Sequence, residues 1–248
     1  MIRGGLRWLR DRIPPGVGQA AWRLCELVDP YARRAYSLEG EDLLLARLFE
    51  GQREGFYVDV GAHHPVRYSN TCLFHRMGWR GINIDPDPAA MRLFARERPG
   101  DINLCVGISD QPGTLTYYSF NEPALNTFDE RIARERESLP GYRLLNTAAV
   151  RVERLDDVLS RQLPRDRHID FLSIDAEGFD SRVLASNDWS RFRPRCVLVE
   201  ALHTTLATVS ASPVHEQLSS VGYELHAKMV NSLMFIDREA RHIDRGTE

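Results

Sequence analysis

Lysine is almost absent from this 248-residue chain: of its 32 basic side chains only Lys228 is a lysine. A Tyr-x-x-x-Lys proton relay is therefore hard to build, and no such pattern occurs. Cysteine is sparse too. Cys25, Cys72, Cys105 and Cys196 lie far apart with no C-x-x-C pair, which excludes zinc-finger spacing and a dense disulfide framework and suits a reducing cytoplasm. No apolar run approaches the roughly 18 residues of a membrane span, and no signal-peptide core is followed by a cleavage site. A positive field is missing as well, since 32 basic against 35 acidic side chains leave a formal charge of -3, so nucleic acid is not an expected partner. There is no internal repeat, and no G-x-S-x-G elbow or cysteine context marks a nucleophile, which disfavours covalent catalysis.

What remains is an ordinary folding composition, 43% hydrophobic and 27% charged, long enough for one generous α/β domain. Residues 1–50 read as an N-terminal helical extension, 51–238 as the catalytic domain and 239–248 as a polar tail. The first residues carry Arg3, Arg7, Arg10 and Arg12 among Ile2, Leu6, Trp8, Leu9 and Ile13, a basic amphipathic helix ended by Pro14 and Pro15. It either touches a membrane or partner weakly or packs on the domain. Ala20 to Leu27 and Glu39 to Phe49 read as further helices.

From Phe56 the pattern changes to short apolar runs separated by helical stretches, as in a parallel sheet covered on both faces. Strands are expected at Phe56 to Val60, Gly81 to Ile84, Ile102 to Gly107, Ile169 to Ile174, Cys196 to Val199, Tyr223 to Lys228 and Leu233 to Ile236, the last two as an antiparallel hairpin. Ala89 to Glu97 and Leu155 to Leu163 supply helices, and Val150 to Val152 a short alternating segment. The fold class is α/β, Rossmann-like and doubly wound. Asn121 to Asn146 is longer than a crossover needs and reads either as a lid over substrate or as a solvated helix with i to i+4 charge pairs.

Ligands of such sheets bind outside the carboxyl ends of the strands. There Phe56-Tyr57-Val58-Asp59-Val60-Gly61-Ala62-His63-His64-Pro65 runs an apolar strand into a carboxylate and a tight glycine turn. Gly61 permits close approach and Asp59 can accept a hydrogen bond. Asp85, ending the next strand, is placed for two ribose hydroxyls. The Gly61 turn lacks the G-x-G-x-x-G of a pyrophosphate site, so adenosine without phosphate fits better than NAD. Ser109 and Asp110 end the third strand toward adenine, or form a simple turn with Gly113.

Ile174-Asp175-Ala176-Glu177-Gly178 opens a buried strand into two carboxylates, which need pairing, hydrogen bonds or a metal. Asp175 and Glu177 are candidates for cofactor amine or substrate contacts. Glu200, ending the neighbouring strand, can face Asp175 to orient a hydroxyl or share a divalent cation such as magnesium. His203, His63 and His64 are candidate general bases, with loop-shaping roles as the competing reading. Ser69, Asn70 or Thr71 is a plausible N-cap of the helix that follows.

These residues carry a resemblance to the FkbM family of S-adenosylmethionine-dependent methyltransferases, spanning Tyr36 to Ile236. It rests on Tyr36-Ser37-Leu38-Glu39-Gly40-Glu41-Asp42, Asp59 to Pro65 with Tyr68-Ser69-Asn70-Thr71, Gly78-Trp79-Arg80-Gly81-Ile82-Asn83-Ile84-Asp85, and Leu172-Ser173-Ile174-Asp175-Ala176-Glu177-Gly178. The resemblance implies a seven-stranded class I methyltransferase sheet with a reversed last strand, S-adenosylmethionine as cofactor, and O-methylation of sugars or secondary metabolites such as macrolides. It carries cofactor contacts onto Asp59, Gly61, Asp85, Ser109 and Asp110, places the acidic motif at Asp175, Glu177 and Gly178, and brings Glu39 and Asp42 toward the methionine end. Many relatives have lysine where this chain has Ser173.

The expected function is methyl transfer to a hydroxyl of a small-molecule acceptor such as a sugar or polyketide glycoside. An NAD-dependent oxidoreductase and a non-catalytic adenosine-binding module are the alternatives; the second has no use for the constellation at Asp175, Glu200 and His203. A homodimer is expected on base rate alone.

Overall fold

The computed structural model describes residues 31–242, so the basic amphipathic segment and the Ala20 to Leu27 helix lie outside the described residues. The chain divides into two units, Met1–Ala35 and Tyr36–Glu248, and everything below concerns the second. Its frame is a seven-stranded sheet in the order β3-β2-β1-β7-β8-β10-β9. The strands are β1 (Phe56–Val60), β2 (Arg80–Ile84), β3 (Ile102–Leu104), β7 (Phe171–Ile174), β8 (Cys196–Glu200), β9 (Tyr223–Lys228) and β10 (Ser232–Asp237). Neighbours from β3 to β8 pair in parallel, whereas β10 runs against both β8 and β9. This is the class I methyltransferase sheet with one reversed strand, and the expected terminal hairpin is β9–β10.

Alternation along each strand sorts its side chains onto two faces. Val58, Val60, Ile82, Ile84, Leu172, Ile174, Val197 and Val199 form one core with α5 (Leu155–Gln162), α6 (Asp180–Ala185) and α7 (Pro213–Ser220). The opposite core packs Tyr57, Trp79, Phe171, Leu198 and Met234 against α1 (Glu41–Leu48) and α2 (Cys72–Arg76). Its centre is aromatic: the rings of Phe74 and Phe171 lie 4.8 Å apart, as do those of Phe74 and Trp79. Asp59 occupies the same face of β1 as Tyr57, between Asn83 on β2 and Ser173 on β7, so this carboxylate is delivered under α2.

Capping fixes where several of the helices start. Asp87 accepts the Ala89 N–H at the start of α3 (Pro88–Glu97), with proline in its first turn. Asp129 does the same for Ile132 at α4 (Glu130–Glu137), and Ser212 for His215 at α7. At α2 the Ser69 hydroxyl, two residues before the cap, accepts the Cys72 N–H.

Two features depart from the sequence reading. The single strand expected over Ile102 to Gly107 is interrupted at Cys105 and Val106: β3 stays in the main sheet, while β4 (Gly107–Ile108) joins a second sheet, β4-β6-β5. A Cβ on Gly107 would lie 2.6 Å from the Phe128 ring and 2.9 Å from Val152, so close packing on the second sheet draws the chain away. That sheet also contains β5 (Gly113–Phe120) and β6 (Leu144–Glu153), an antiparallel ribbon of which only Val150 to Val152 was anticipated. Between its strands lie a turn of 3₁₀ helix, Pro123–Leu125, and α4. The i to i+4 pairs Arg131–Glu135 and Arg134–Glu130 do form on α4, and the same segment also reaches the functional cavity.

Candidate active site

A cavity of about 400 Å³ opens at the carboxyl ends of β1, β2, β7 and β8, within the size range of small-ligand sites. Its floor is the glycine turn after β1. Gly61 has φ +79, and a Cβ there would lie 1.7 Å from the Asp175 carbonyl oxygen; its N–H donates to the Ile84 carbonyl at 2.9 Å. Only glycine lets the loops after β1 and β7 pass this closely. Beside it, Asp85 accepts the His63 and Asp87 N–H groups, both at 2.8 Å, which leaves lone pairs toward the cavity it lines. Burial pushes its pKa up to about 6, against the pull of those two N–H groups.

Among the described residues eight carboxylates line the cavity, namely Glu39, Glu41, Asp59, Asp85, Glu122, Asp175, Glu177 and Glu200, against one guanidinium, Arg67. Glu122 and Glu177 are paired with arginines, and burial favours the neutral forms of Asp85, Asp175 and Glu200. The wall is thus rich in hydrogen-bond acceptors and poor in the cations a pyrophosphate needs, and an entering sulfonium or ammonium favours ionisation of these groups. The acidic floor is split by its pairing. Glu177, at φ +50, forms an ion pair with Arg136 of α4, and its carbonyl accepts from Thr127 at 2.8 Å. Asp180 accepts the Ala176 and Gly178 N–H groups and so shapes the acidic turn.

Asp175 and Glu200 receive no hydrogen bond at their carboxyl groups from the described residues. One oxygen from each of Asp175, Glu177 and Glu200 lies within 4.8 Å of the others. Burial first, and then the neighbouring Glu177, raise the Asp175 pKa; burial and then Asp175 raise that of Glu200. Asp175 follows the end of β7 and is exposed to the cavity, so water there offsets much of the burial, and mutual repulsion remains.

The structure brings Glu39, Asp59, Gly61, His63, Asp85, Asp175, Glu177 and Glu200 to the cavity wall and leaves five sequence candidates off it. Asp42 is fully buried and accepts from Tyr36 N, Ser37 Oγ and Leu43 N, fixing the entry to α1. His64 Nδ1 accepts the Val66 and Arg67 N–H groups, the loop-shaping role weighed from the sequence. Ser109 donates to Asp110, whose own partners are Arg182 and Arg154; it is Val106, Gly107 and Ile108 that reach the cavity. His203 is exposed at φ +58 on the loop after β8. Among the three histidines only His63 lines the cavity. Burial and the Arg67 charge lower its pKa, and its Nε2 has no hydrogen-bond partner.

Sequence reasoning missed Glu41, Arg67, Tyr117, Asn126 and Asn231, all in the wall. Glu41 accepts from Ser232 Oγ and from Glu39 N, while both Glu39 oxygens receive the Asn231 N–H. These bonds tie the segment before α1 to the β9–β10 turn. Acid followed by acid at Glu39-Gly40-Glu41-Asp42 was the available signal. Nothing local marks Asn231, which enters only through the hairpin.

The Methyltransferase FkbM domain matches residues 59–225 of the chain. No curated protein matches it. Solved structures similar to it include a TehB-like SAM-dependent methyltransferase from Corynebacterium glutamicum, 13% identical over 88% of this chain and 95% of that one, TM-score 0.42. An O-methyltransferase from Bacillus cereus in complex with SAH is 11% identical over 93% and 96%, TM-score 0.37. Precorrin-6y C5,15-methyltransferase from Geobacter metallireducens is 13% identical over 79% and 85%, TM-score 0.38. With the family domain spanning more than half of the sequence, the chain belongs to the FkbM methyltransferase family and is an S-adenosylmethionine-dependent methyltransferase.

Proposed function

We propose that the protein methylates a hydroxyl oxygen of a small polar acceptor, a sugar or a glycosylated secondary metabolite. The observation that carries this reading is His63: alone among the three candidate histidines it lines the acidic cavity, next to the Gly61 turn. Its neutral form is favoured by burial and the Arg67 charge, and its Nε2 is buried without a partner, so a small turn of the ring is needed to meet an acceptor hydroxyl. Bound S-adenosylmethionine supplies a methyl carbon on a sulfonium leaving group. Asp59 and the Gly61 turn seat the donor, Asp85 takes its ribose hydroxyls, and Asp175 with Glu177 gives counter-charge to its ammonium. His63 takes the acceptor's hydroxyl proton as the oxygen–carbon bond forms and the carbon–sulfur bond breaks. The residues 121–146 act as a lid on the acceptor side, where Glu122, Pro123, Ala124, Leu125 and Tyr142 contribute to the wall.

A divalent cation is a second element of the proposal, favoured by the three converging oxygens of Asp175, Glu177 and Glu200. Such a donor set suits magnesium; the ion would take the place of the ammonium contact at Asp175 and Glu177 and would orient the acceptor hydroxyl. We place the protein in the cytoplasm, a reading supported by the free thiols of Cys72, Cys105 and Cys196.

The test is calorimetric titration with S-adenosylmethionine and with NAD, each with and without magnesium, followed by transfer of labelled methyl to a panel of sugars and amines. Saturable donor binding without affinity for NAD, transfer that magnesium accelerates, and label on sugar oxygen that is lost in His63→Ala, are the expected results. Label on amine nitrogen alone, or transfer undiminished in His63→Ala, overturns the hydroxyl reading or the base assignment respectively.

A further inference from the structure

Arg98, just beyond the C-terminus of α3, is 1% exposed and does not line the cavity. A guanidinium stays charged inside a protein and can only donate, so its surroundings must accept. Nη2 donates to Ser69 Oγ at 3.0 Å and to the Pro65 carbonyl; Nη1 donates to Thr71 Oγ1 at 2.8 Å. Thr71, itself fully buried, passes its one proton to Asp59 Oδ2 at 2.8 Å. Because Arg98 brings donors and no acceptor, the direction of this chain is fixed: guanidinium to hydroxyl to carboxylate.

Asp59 is 4% exposed and lines the cavity. Other groups around it are Asp85 just after β2, Ser173 and Asp175 by β7, and Asp101 beyond α3. Asp101 is engaged by Tyr57 Oη at 2.6 Å and Asn83 Nδ2 at 3.2 Å, with His75 beside it. Arg98 is therefore the cation bonded, through one hydroxyl, to the carboxylate of the glycine-turn strand, and it also clasps the loop that follows that strand.

We propose that Arg98 is a positioning residue for the methyl donor, orienting the Asp59 carboxylate through Thr71 while touching neither donor nor acceptor. The inference rests on the reading of Asp59 as donor-facing. Removing the guanidinium outright endangers the fold, so the test breaks the link at Thr71, where valine has nearly the same shape, and repeats the comparison with Arg98→Lys. Donor affinity is measured by calorimetry for the parent, Thr71→Val, Asp59→Ala and the double variant, completing a double-mutant cycle.

If Arg98 and Thr71 act through Asp59, Thr71→Val weakens donor binding about tenfold in the parent and less than about twofold in Asp59→Ala. Arg98→Lys, which keeps the charge and loses the fork, gives the same pattern with a smaller first factor. Equal weakening in both backgrounds means the residues only support the loop, and overturns the proposal. Asp59→Ala binding the donor as well as the parent overturns the reading of Asp59 first, and the proposed route with it. The two failures are thus read from different members of the cycle.

Discussion

The floor and the roof of the cavity are built by different means. The floor, where β1, β2 and β7 end, is set by backbone: Gly61 against the Asp175 carbonyl, parallel registers that put Asp59 between Asn83 and Ser173, and N–H groups that fasten Asp85. The roof, from Glu122 to Tyr142, is tied to the floor through side chains, by Arg67–Glu122 and Arg136–Glu177. Backbone constraints tolerate almost no substitution. Side-chain ties can open and close, which is what the lid role proposed for this segment requires.

The sharpest way to break this contrast is at the floor. Gly61→Ala puts a methyl group on the Asp175 carbonyl and forces a left-handed conformation on an L-residue. Strain and overpacking together are expected to cost about 2–5 kcal/mol. Urea denaturation of the variant should show a large loss of midpoint and calorimetry a loss of donor binding. A parent-like midpoint and donor affinity would mean that the two loops do not approach as described.

Legibility in the sequence follows the same line. The strand-to-glycine turns at Asp59-Val60-Gly61 and Ile174-Asp175 announce themselves because a buried strand ending in a carboxylate and a turn is chemically unusual, and the reversed terminal strand could be read from its short connection. The second sheet could not be read so easily. Most residues of β6 are exposed or half-buried, so no apolar run marks it, although Gly113-Thr114-Leu115-Thr116-Tyr117-Tyr118 has the threonine and tyrosine content of a strand. Arg98, Arg67 and Asn231 carry no local signal; their roles arise from contacts made across the fold. His63, His64 and His203 could not be ranked from sequence, since the difference between them lies in which one the turn after β1 directs to the cavity.

A smaller effect sharpens the contrast through pH. Asp85 titrates at about 6 in the folded protein, above the ordinary carboxylate value of 3.8, because of burial. Its ionisation therefore works against the free fold, whose stability falls as pH rises from 3.8 toward 6. In the proposed ribose site, hydroxyls that donate to the carboxylate favour the ionised form, so donor affinity should climb as pH rises through 6 and level off above 7. Calorimetry is expected to show about tenfold tighter binding at pH 7.5 than at pH 5, with Asp85→Asn flattening that rise. A profile unchanged in Asp85→Asn would assign the titration to another floor group and remove Asp85 from the ribose site.

The mildest perturbation addresses the roof. Arg67 meets both Glu122 oxygens, at 3.0 and 2.8 Å, with side chains 44% and 30% exposed. A solvent-accessible pair of this kind contributes at most about 1 kcal/mol to stability, so Arg67→Ala should melt within a few degrees of the parent. Its place is what gives it an effect: Arg67 belongs to the loop that follows the glycine turn, and Glu122 opens the segment over the cavity. Cutting the tie leaves Glu122 as an unpaired carboxylate at the mouth and loosens the roof without touching Asp59, Gly61 or Asp85. The expected outcome in stopped-flow measurements is donor release a few-fold faster with association little changed, because losses at an interface fall mainly on the dissociation rate. Unchanged release in Arg67→Ala would show that the roof is held at Glu177, by Arg136 and Thr127, and that the outer pair is a surface contact of no consequence for residence.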